Sequence, residues 1–268
     1  MEYYGEHGRP NLPWRKNPTP YKVTVSEIML QQTQVDRVIP FFNNWMKQFP
    51  SWRALADAPQ SDVLRAWKGL GYNSRALRLQ KLAQIIVSDY KGRLPNDYKV
   101  LTGLPGIGPY TAGAIRAFAF DLYTPIIETN IRRVFIHHFF NDQSDVSDAD
   151  ILHIMHDMGE IEHPREWYAA LMDYGSTLPK IINHNPNTQS KHYTKQSKFA
   201  GSDRQLRGKI LDILLENKKI SKEQVFQKLC HCEEQSNLKK ETQRYQNICN
   251  QLEKEGFIKQ TKKSLILR

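Results

Sequence analysis

Apolar residues fall along the first two thirds of the chain in short runs with helical spacing. From Tyr21, Val25, Ile28, Met29 and Val35 recur at three- and four-residue intervals with Ser26 as a cap, and Val38, Phe41, Phe42 and Trp45 predict a second helix after Pro40. The same spacing predicts helices over 55–58, 63–67, 74–90, 96–101, 110–120, 130–139, 149–158 and 166–174. Turns are expected at Pro50, Pro59, Lys68-Gly-Leu-Gly71, Gly92 and Pro95. No segment alternates as a strand would. Residues 1–182 therefore predict an all-α body, entered by a Pro- and Gly-rich arm over Met1–Pro20 that Leu12-Pro-Trp-Arg15 anchors.

The pattern changes after Leu178. Residues 183–203 are rich in Asn, Lys, Gln, Ser and His and predict a polar linker or arm lying over the body. Residues 204–268 predict a small α+β domain. A helix is expected over 206–215, and Ser221-Lys-Glu-Gln224 forms a capping box opening a second over 223–229. A third over 241–255 stops at Gly256, and 257–260 with 264–267 form a hairpin turning at Lys262-Lys263. Three helices and a terminal hairpin make a winged helix-turn-helix; a generic cap that binds nothing has the same pattern.

Charge narrows the partner. Of 268 residues 40% are hydrophobic, enough for real cores, and the net charge of +10 suits an anionic partner, nucleic acid first and an acidic membrane surface second. No apolar run approaches the roughly 18 residues of a membrane span, and 1–10 lacks the apolar core of a signal peptide, so a soluble, cytoplasmic protein without a membrane partner is expected. The three cysteines, Cys230, Cys232 and Cys249, are an odd number late in the chain, which argues for a reducing compartment.

Leu104-Pro-Gly-Ile-Gly-Pro-Tyr-Thr111 reads as a glycine hairpin between two helices, whose backbone N–H groups can hold a phosphate. Together with Leu12-Pro-Trp-Arg15, Ser26-Glu-Ile-Met-Leu-Gln-Gln-Thr33, Gly69-Leu-Gly-Tyr-Asn73 and Ile127-Glu-Thr-Asn-Ile-Arg-Arg133, it resembles the helix-hairpin-helix DNA glycosylases, most closely the MutY-type adenine glycosylases. The resemblance covers roughly residues 12–175 and implies a two-lobed helix-hairpin-helix body with a cleft between the lobes.

Breaking an N-glycosidic bond needs an acid for the leaving base and a negative group for the oxocarbenium-like sugar. Glu27, in an apolar stretch, suits the acid because burial raises a carboxyl pKa, and by resemblance it matches the family's catalytic glutamate. Glu128 stands where the family has an aspartate that steadies the cation and caps a helix; the longer side chain must be re-aimed, and Thr129 is expected to take over the cap. Tyr110 occupies the position where bifunctional relatives keep a Schiff-base lysine, so base removal without strand cleavage is expected.

The resemblance further implies that Arg15 and Glu27 face the extruded base, that Gln32 fills the stack with Gln31 and Thr33 beside it, and that Tyr72 and Asn73 also meet DNA. Gly106, Ile107, Gly108, Tyr110 and Thr111 are expected to grip the backbone; Asn130 is structural or site-lining, and Arg132 and Arg133 are surface charge.

MutY-type enzymes commonly carry four cysteines holding an iron–sulfur cluster after the helix matching 167–178. Here no cysteine precedes 230, so no cluster and no other metal are expected; Cys230-His-Cys232, His153-x-x-His156 and His137-His138 lack matching ligands. The domain that inspects 8-oxoguanine in those enzymes also has no counterpart in 204–268, and Ala169 stands where adenine-specific members have a glutamate.

Adenine opposite 8-oxoguanine or guanine is the first expectation. Thymine, uracil or hypoxanthine mismatch excision on the same fold is the alternative, as are a non-catalytic DNA-binding module and a regulator that reads sequence through the winged helix. The expected partner is double-stranded DNA with a mismatch or lesion, bound by a monomer associated with a prokaryotic-type nucleoid.

Overall fold

The structure is a computed structural model that describes residues 2–194, 198–217, 219–229 and 235–268, with backbone only for 235–239. The N-terminal arm packs on the body and opens with a helix that the spacing does not predict: α1 (Glu2–His7) docks on a later helix through Tyr3 and Thr177, whose hydroxyls lie 2.6 Å apart. In α2 (Pro20–Leu30), Thr19 is the cap, its side chain accepting from Lys22 N. Ser26 is buried in mid-helix and donates to Val23 O; a cap needs the extended backbone that Thr19 has before Pro20. The next helix, α3 (Val35–Gln48), runs through Pro40 rather than starting after it. The missing N–H removes one helical bond, and burial of Val38, Phe42 and Trp45 along one face keeps the helix continuous.

Five helices follow: α4 (Trp52–Ala56), α5 (Gln60–Trp67), α6 (Ser74–Ser88), α7 (Tyr98–Thr102) and α8 (Pro109–Phe120). The second lobe adds α9 (Thr129–Phe139), α10 (Asp148–Asp157) and α11 (Pro164–Ile181), which passes through Pro179 beyond its predicted end. Two apolar cores result. One gathers Trp45, Trp67 and Leu79, the other Ile131, Phe135 and Tyr168. α8 bridges them, giving Ala112 and Ile115 to the first and Ala114 and Ala117 to the second.

Residues 203–268 form α12 (Asp203–Asn217), β1 (Lys219–Ser221), α13 (Lys222–Leu229), α14 (Gln235–Lys254), β2 (Ile258–Gln260) and β3 (Ser264–Leu267). The sheet is antiparallel in the order β1-β3-β2, with Ile220 opposite Leu265 and Lys259 opposite Ile266, as in a winged helix. β1 shows no alternation in sequence because it is three residues long. The Ser221–Gln224 capping box forms as predicted, with Gln224 N donating to Ser221 Oγ at 3.1 Å. Leu214 and Phe257 of this part share the first lobe's core.

Candidate active site

Glu27 projects from the middle of α2 into a cleft of about 1060 Å³ that Tyr110, Glu128, Arg15 and Gln32 also line. Only 7% of Glu27 is exposed, and the Tyr110 hydroxyl donates to its Oε2 at 3.0 Å. Burial pushes its pKa up from 4.5 to about 7; the Tyr110 bond opposes that, the Glu128 charge adds to it, and the Arg15 charge opposes it. A carboxyl poised there holds a proton at neutral pH and can give it up.

Glu128 enters from the other lobe as the residue before α9. Its Oε1 accepts from Asn130 N at 2.7 Å and Ile131 N at 2.8 Å, and its Oε2 from Asn130 Nδ2 at 3.1 Å. Glu128, not Thr129, therefore caps the helix. It holds the extended backbone a cap requires (φ −132°, ψ 178°), whereas Thr129 is already helical, and the extra methylene lets the carboxylate fold back onto its own helix. Burial raises the Glu128 pKa, opposed by the Asn130 and Ile131 N–H groups and by Arg133 and Arg132. α11 comes close here because residue 175 is glycine: a Cβ there would lie 2.3 Å from Asn130 O. Asn130 lines the cleft, and its neighbours are not loose surface charge. Arg132 pairs with Asp148 at 2.7 Å, and Arg133 donates to Asn130 Oδ1, Gly175 O and Asn185 Oδ1.

Arg15 lines the same cleft, held by a carboxylate that the sequence did not single out. Asp173, buried in α11, accepts from Arg15 Nη1 at 2.6 Å and Nη2 at 3.0 Å, and from Arg9 Nε at 2.8 Å and Nη2 at 2.6 Å. The signal for it is an aspartate among the buried residues of an amphipathic helix.

The proposed wedge lies at the end of α2. Gln32 adopts a left-handed backbone (φ +55°), as does Tyr72 (φ +48°) in the 69–73 loop. Buried Arg75 ties the two turns together. Its Nη1 donates to Ile28 O, Met29 O and Gln31 O at 2.7–3.0 Å, and its Nη2 to Leu70 O and Gly71 O at 3.3 and 3.1 Å. Burial lowers the Arg75 pKa to about 10, so it stays charged at the negative end of α2. Thr33 Oγ1 donates to Gln31 O at 3.3 Å, and Gln31 Nε2 reaches Thr111 Oγ1 only at 3.5 Å.

In the hairpin only Gly106 needs its glycine for conformation (φ +78°). Gly108 is extended (φ −90°), has open space around it, and starts α8 without a side-chain cap, leaving N–H groups for an anion. Ile107 is not offered to a ligand: its side chain is buried and its N–H donates to Leu104 O. The Thr111 side chain is also buried; Asn73 lines a second cleft with Tyr72.

The chain after α11 makes a short turn (Pro186–Gln189), and Asn187 Nδ2 donates to Thr129 O at 2.9 Å, beside Glu128. Cys230, His231 and Cys232 lie outside the described residues, among which no three His, Cys, Asp or Glu residues cluster as a metal site. Among the same residues no helix is long and apolar enough to cross a membrane.

Residues 25–155 match the model of the HhH-GPD superfamily of base excision DNA repair proteins. An adenine DNA glycosylase of Mycolicibacterium smegmatis is 36% identical over 230 residues, 78% of this chain and 77% of that one. Another, from Buchnera aphidicola subsp. Baizongia pistaciae, is 39% identical over 187 residues, 69% of this chain; the match spans 53%, about half, of that relative's length. Among solved structures, a thermostable thymine-DNA glycosylase superposes with a TM-score of 0.54 at 25% identity, over 62% of this chain and 77% of that one. An endonuclease III–DNA complex shares the fold, with a TM-score of 0.52 at 18% identity over 66% and 79%.

Proposed function

The chain belongs to the HhH-GPD superfamily of base excision DNA repair proteins, and from that premise we propose that it is a monofunctional DNA glycosylase that everts adenine from a pair with 8-oxoguanine or guanine and removes it. The observation that carries this reading is the Glu27 carboxyl, poised near pH 7 and facing Glu128 across a cleft bounded by the Gln32 turn.

Glu27 gives its proton to a ring nitrogen of the base. The C1′–N bond then breaks, its electron pair leaving with the base. Glu128, ionised and fixed by two backbone N–H groups, steadies the positive sugar. Water adds at C1′ and returns a proton to a carboxylate, leaving an abasic site. Tyr110 holds Glu27 by its hydroxyl and cannot form an imine, which supports base release without strand cleavage. The reading includes no iron–sulfur cluster, since only three cysteines are present and four thiolates are needed. It also makes the protein a monomer on its duplex.

A second substrate has some support too. Ala169 lines the cleft, and by the family resemblance it stands where adenine-specific members have a glutamate, which suits thymine or uracil excision. Duplexes carrying adenine, thymine, uracil or hypoxanthine opposite guanine or 8-oxoguanine, assayed in single turnover for alkali-labile sites, decide between them. Adenine release with no cleavage before alkali is the expected result; no release from any duplex refutes the glycosylase reading. Glu27→Gln should abolish release while duplex binding persists.

A further inference from the structure

The Glu27 cleft has a neighbour of nearly the same size, about 1050 Å³, and Gln32, Thr33, Gln34 and Asp36 line both. The turn carrying the wedge is thus a partition. Its far side is walled by Tyr72 and Asn73 and by the first turns of α12, with Phe199 just before them. Resting on the glycosylase reading, we infer that this second cleft holds the strand opposite the everted nucleotide, and that residues 199–209 form its outer wall.

Three observations support the inference. A side chain that fills the gap in the stack has the everted nucleotide on one side and its abandoned partner on the other, which is how the two clefts flank Gln32. α12 also grips the second turn: Arg204 Nη1 donates to the Tyr72 hydroxyl at 2.8 Å, and two guanidinium groups lie near the Tyr72 ring, Arg75 at 5.6 Å and Arg204 at 5.9 Å from its centroid.

The charge and surface here fit a polynucleotide. Residues 204–268, which begin in this wall, hold 15 Lys and Arg against 8 Asp and Glu, and the wall itself carries Arg204, Arg207 and Lys209 against Asp203. Arg207 and Lys68 in the cleft are paired with Glu255 and with Asp212 and Glu216, but Lys209 is exposed with no ion pair among the described residues. Phe199 is 59% exposed, a ring open to stacking on a base, and Lys209 suits a phosphate.

Photocrosslinking tests this directly. The full chain carrying Glu27→Gln is bound to a lesion duplex with 4-thiothymidine within two nucleotides of the lesion pair, in one strand or the other, and labelled peptides are mapped by mass spectrometry. Crosslinks from the opposite strand should fall within residues 199–209, and those from the lesion strand should not. Opposite-strand crosslinks confined to residues before 183, or equal labelling of 199–209 from both strands, overturn the inference.

A second measurement needs no crosslink. Lys209→Glu should weaken duplex binding about tenfold and reduce the slope of log K against log salt by about 1, and an unchanged affinity and slope also refute the assignment. Excision by the wild-type chain is scored separately on the same duplex, so failure of the glycosylase reading is distinguishable from failure of this one.

Discussion

Glu27 stands in the middle of α2, where one hydroxyl donor offsets its burial; Glu128 stands one residue before α9, where two backbone N–H groups and an amide converge on its carboxylate. At Glu27 the helix has spent its N–H groups on its own carbonyls, so little stabilises charge and the proton is retained to about pH 7. At Glu128 the unsatisfied N–H groups and the positive end of the helix dipole favour the ionised form against the cost of burial. Burial raises both carboxyl pKa values, but only at Glu128 does a helix N-terminus oppose the rise, so position on a helix sets the two carboxyls apart.

Substitutions at Glu128 test that division most severely. Glu128→Gln keeps an oxygen for the Asn130 and Ile131 N–H groups but removes the charge, so excision should fall on the order of 10²–10³-fold with the melting temperature nearly unchanged. Glu128→Ala should lose as much activity and also about 1 kcal/mol of cap stability in thermal unfolding. If Glu128→Gln retained wild-type rate, the residue would be a cap and nothing more. The pH profile separates the two carboxyls next. Excision should fall about tenfold per unit above pH 7 as Glu27 loses its proton, and should fall on the acid side as Glu128, whose pKa lies above 4.5, gains one. In Glu128→Gln the acid limb should vanish and the alkaline limb remain.

Much of this arrangement was legible in the sequence, and what was missed has physical causes. Glu27, Tyr110 and Glu128 were named from motif residues, and the structure lines one cleft with all three. Helix positions follow from apolar spacing because each helix buries one face, but two ends differ. Pro40 suggests a start, yet packing of the surrounding face keeps α3 whole, and α11 runs past the predicted end at 174 through Pro179. The Thr129 cap was misassigned because spacing does not reveal which residue leaves the helical backbone first. The roles of Asp173 and Arg75 are hidden for a different reason: their partners lie 158 and 44–47 positions away, so even where the apolar face marks Asp173 as buried, composition and periodicity do not say what it pairs with.

Stability gives a smaller contrast between the two carboxyls. The folded pKa of Glu27 lies above its unfolded value, so its charged form opposes folding: stability is lost as pH rises from about 4.5 to about 7 and stays lost above that. The shift corresponds to about 3 kcal/mol. Glu27→Gln should therefore unfold several degrees higher than wild type at pH 8 and show little difference at pH 4, by calorimetry. Equal melting temperatures at pH 8 would mean that the Glu27 charge is already solvated in the cleft.

The finest test lies one residue further out. Arg15 lowers the Glu27 pKa by its charge, and Asp173 both fixes that guanidinium and screens it. Asp173→Asn keeps one acceptor oxygen but removes the screening, so the Arg15 field at Glu27 strengthens. The alkaline limb should then move to lower pH by less than one unit, with excision at pH 8 falling on the order of 2–5-fold and little change at pH 6. A limb displaced to higher pH would show the opposite balance: Asp173 would matter by holding Arg15 near Glu27, and loss of position would outweigh loss of screening. The direction of that shift thus separates a screening role from a positioning role.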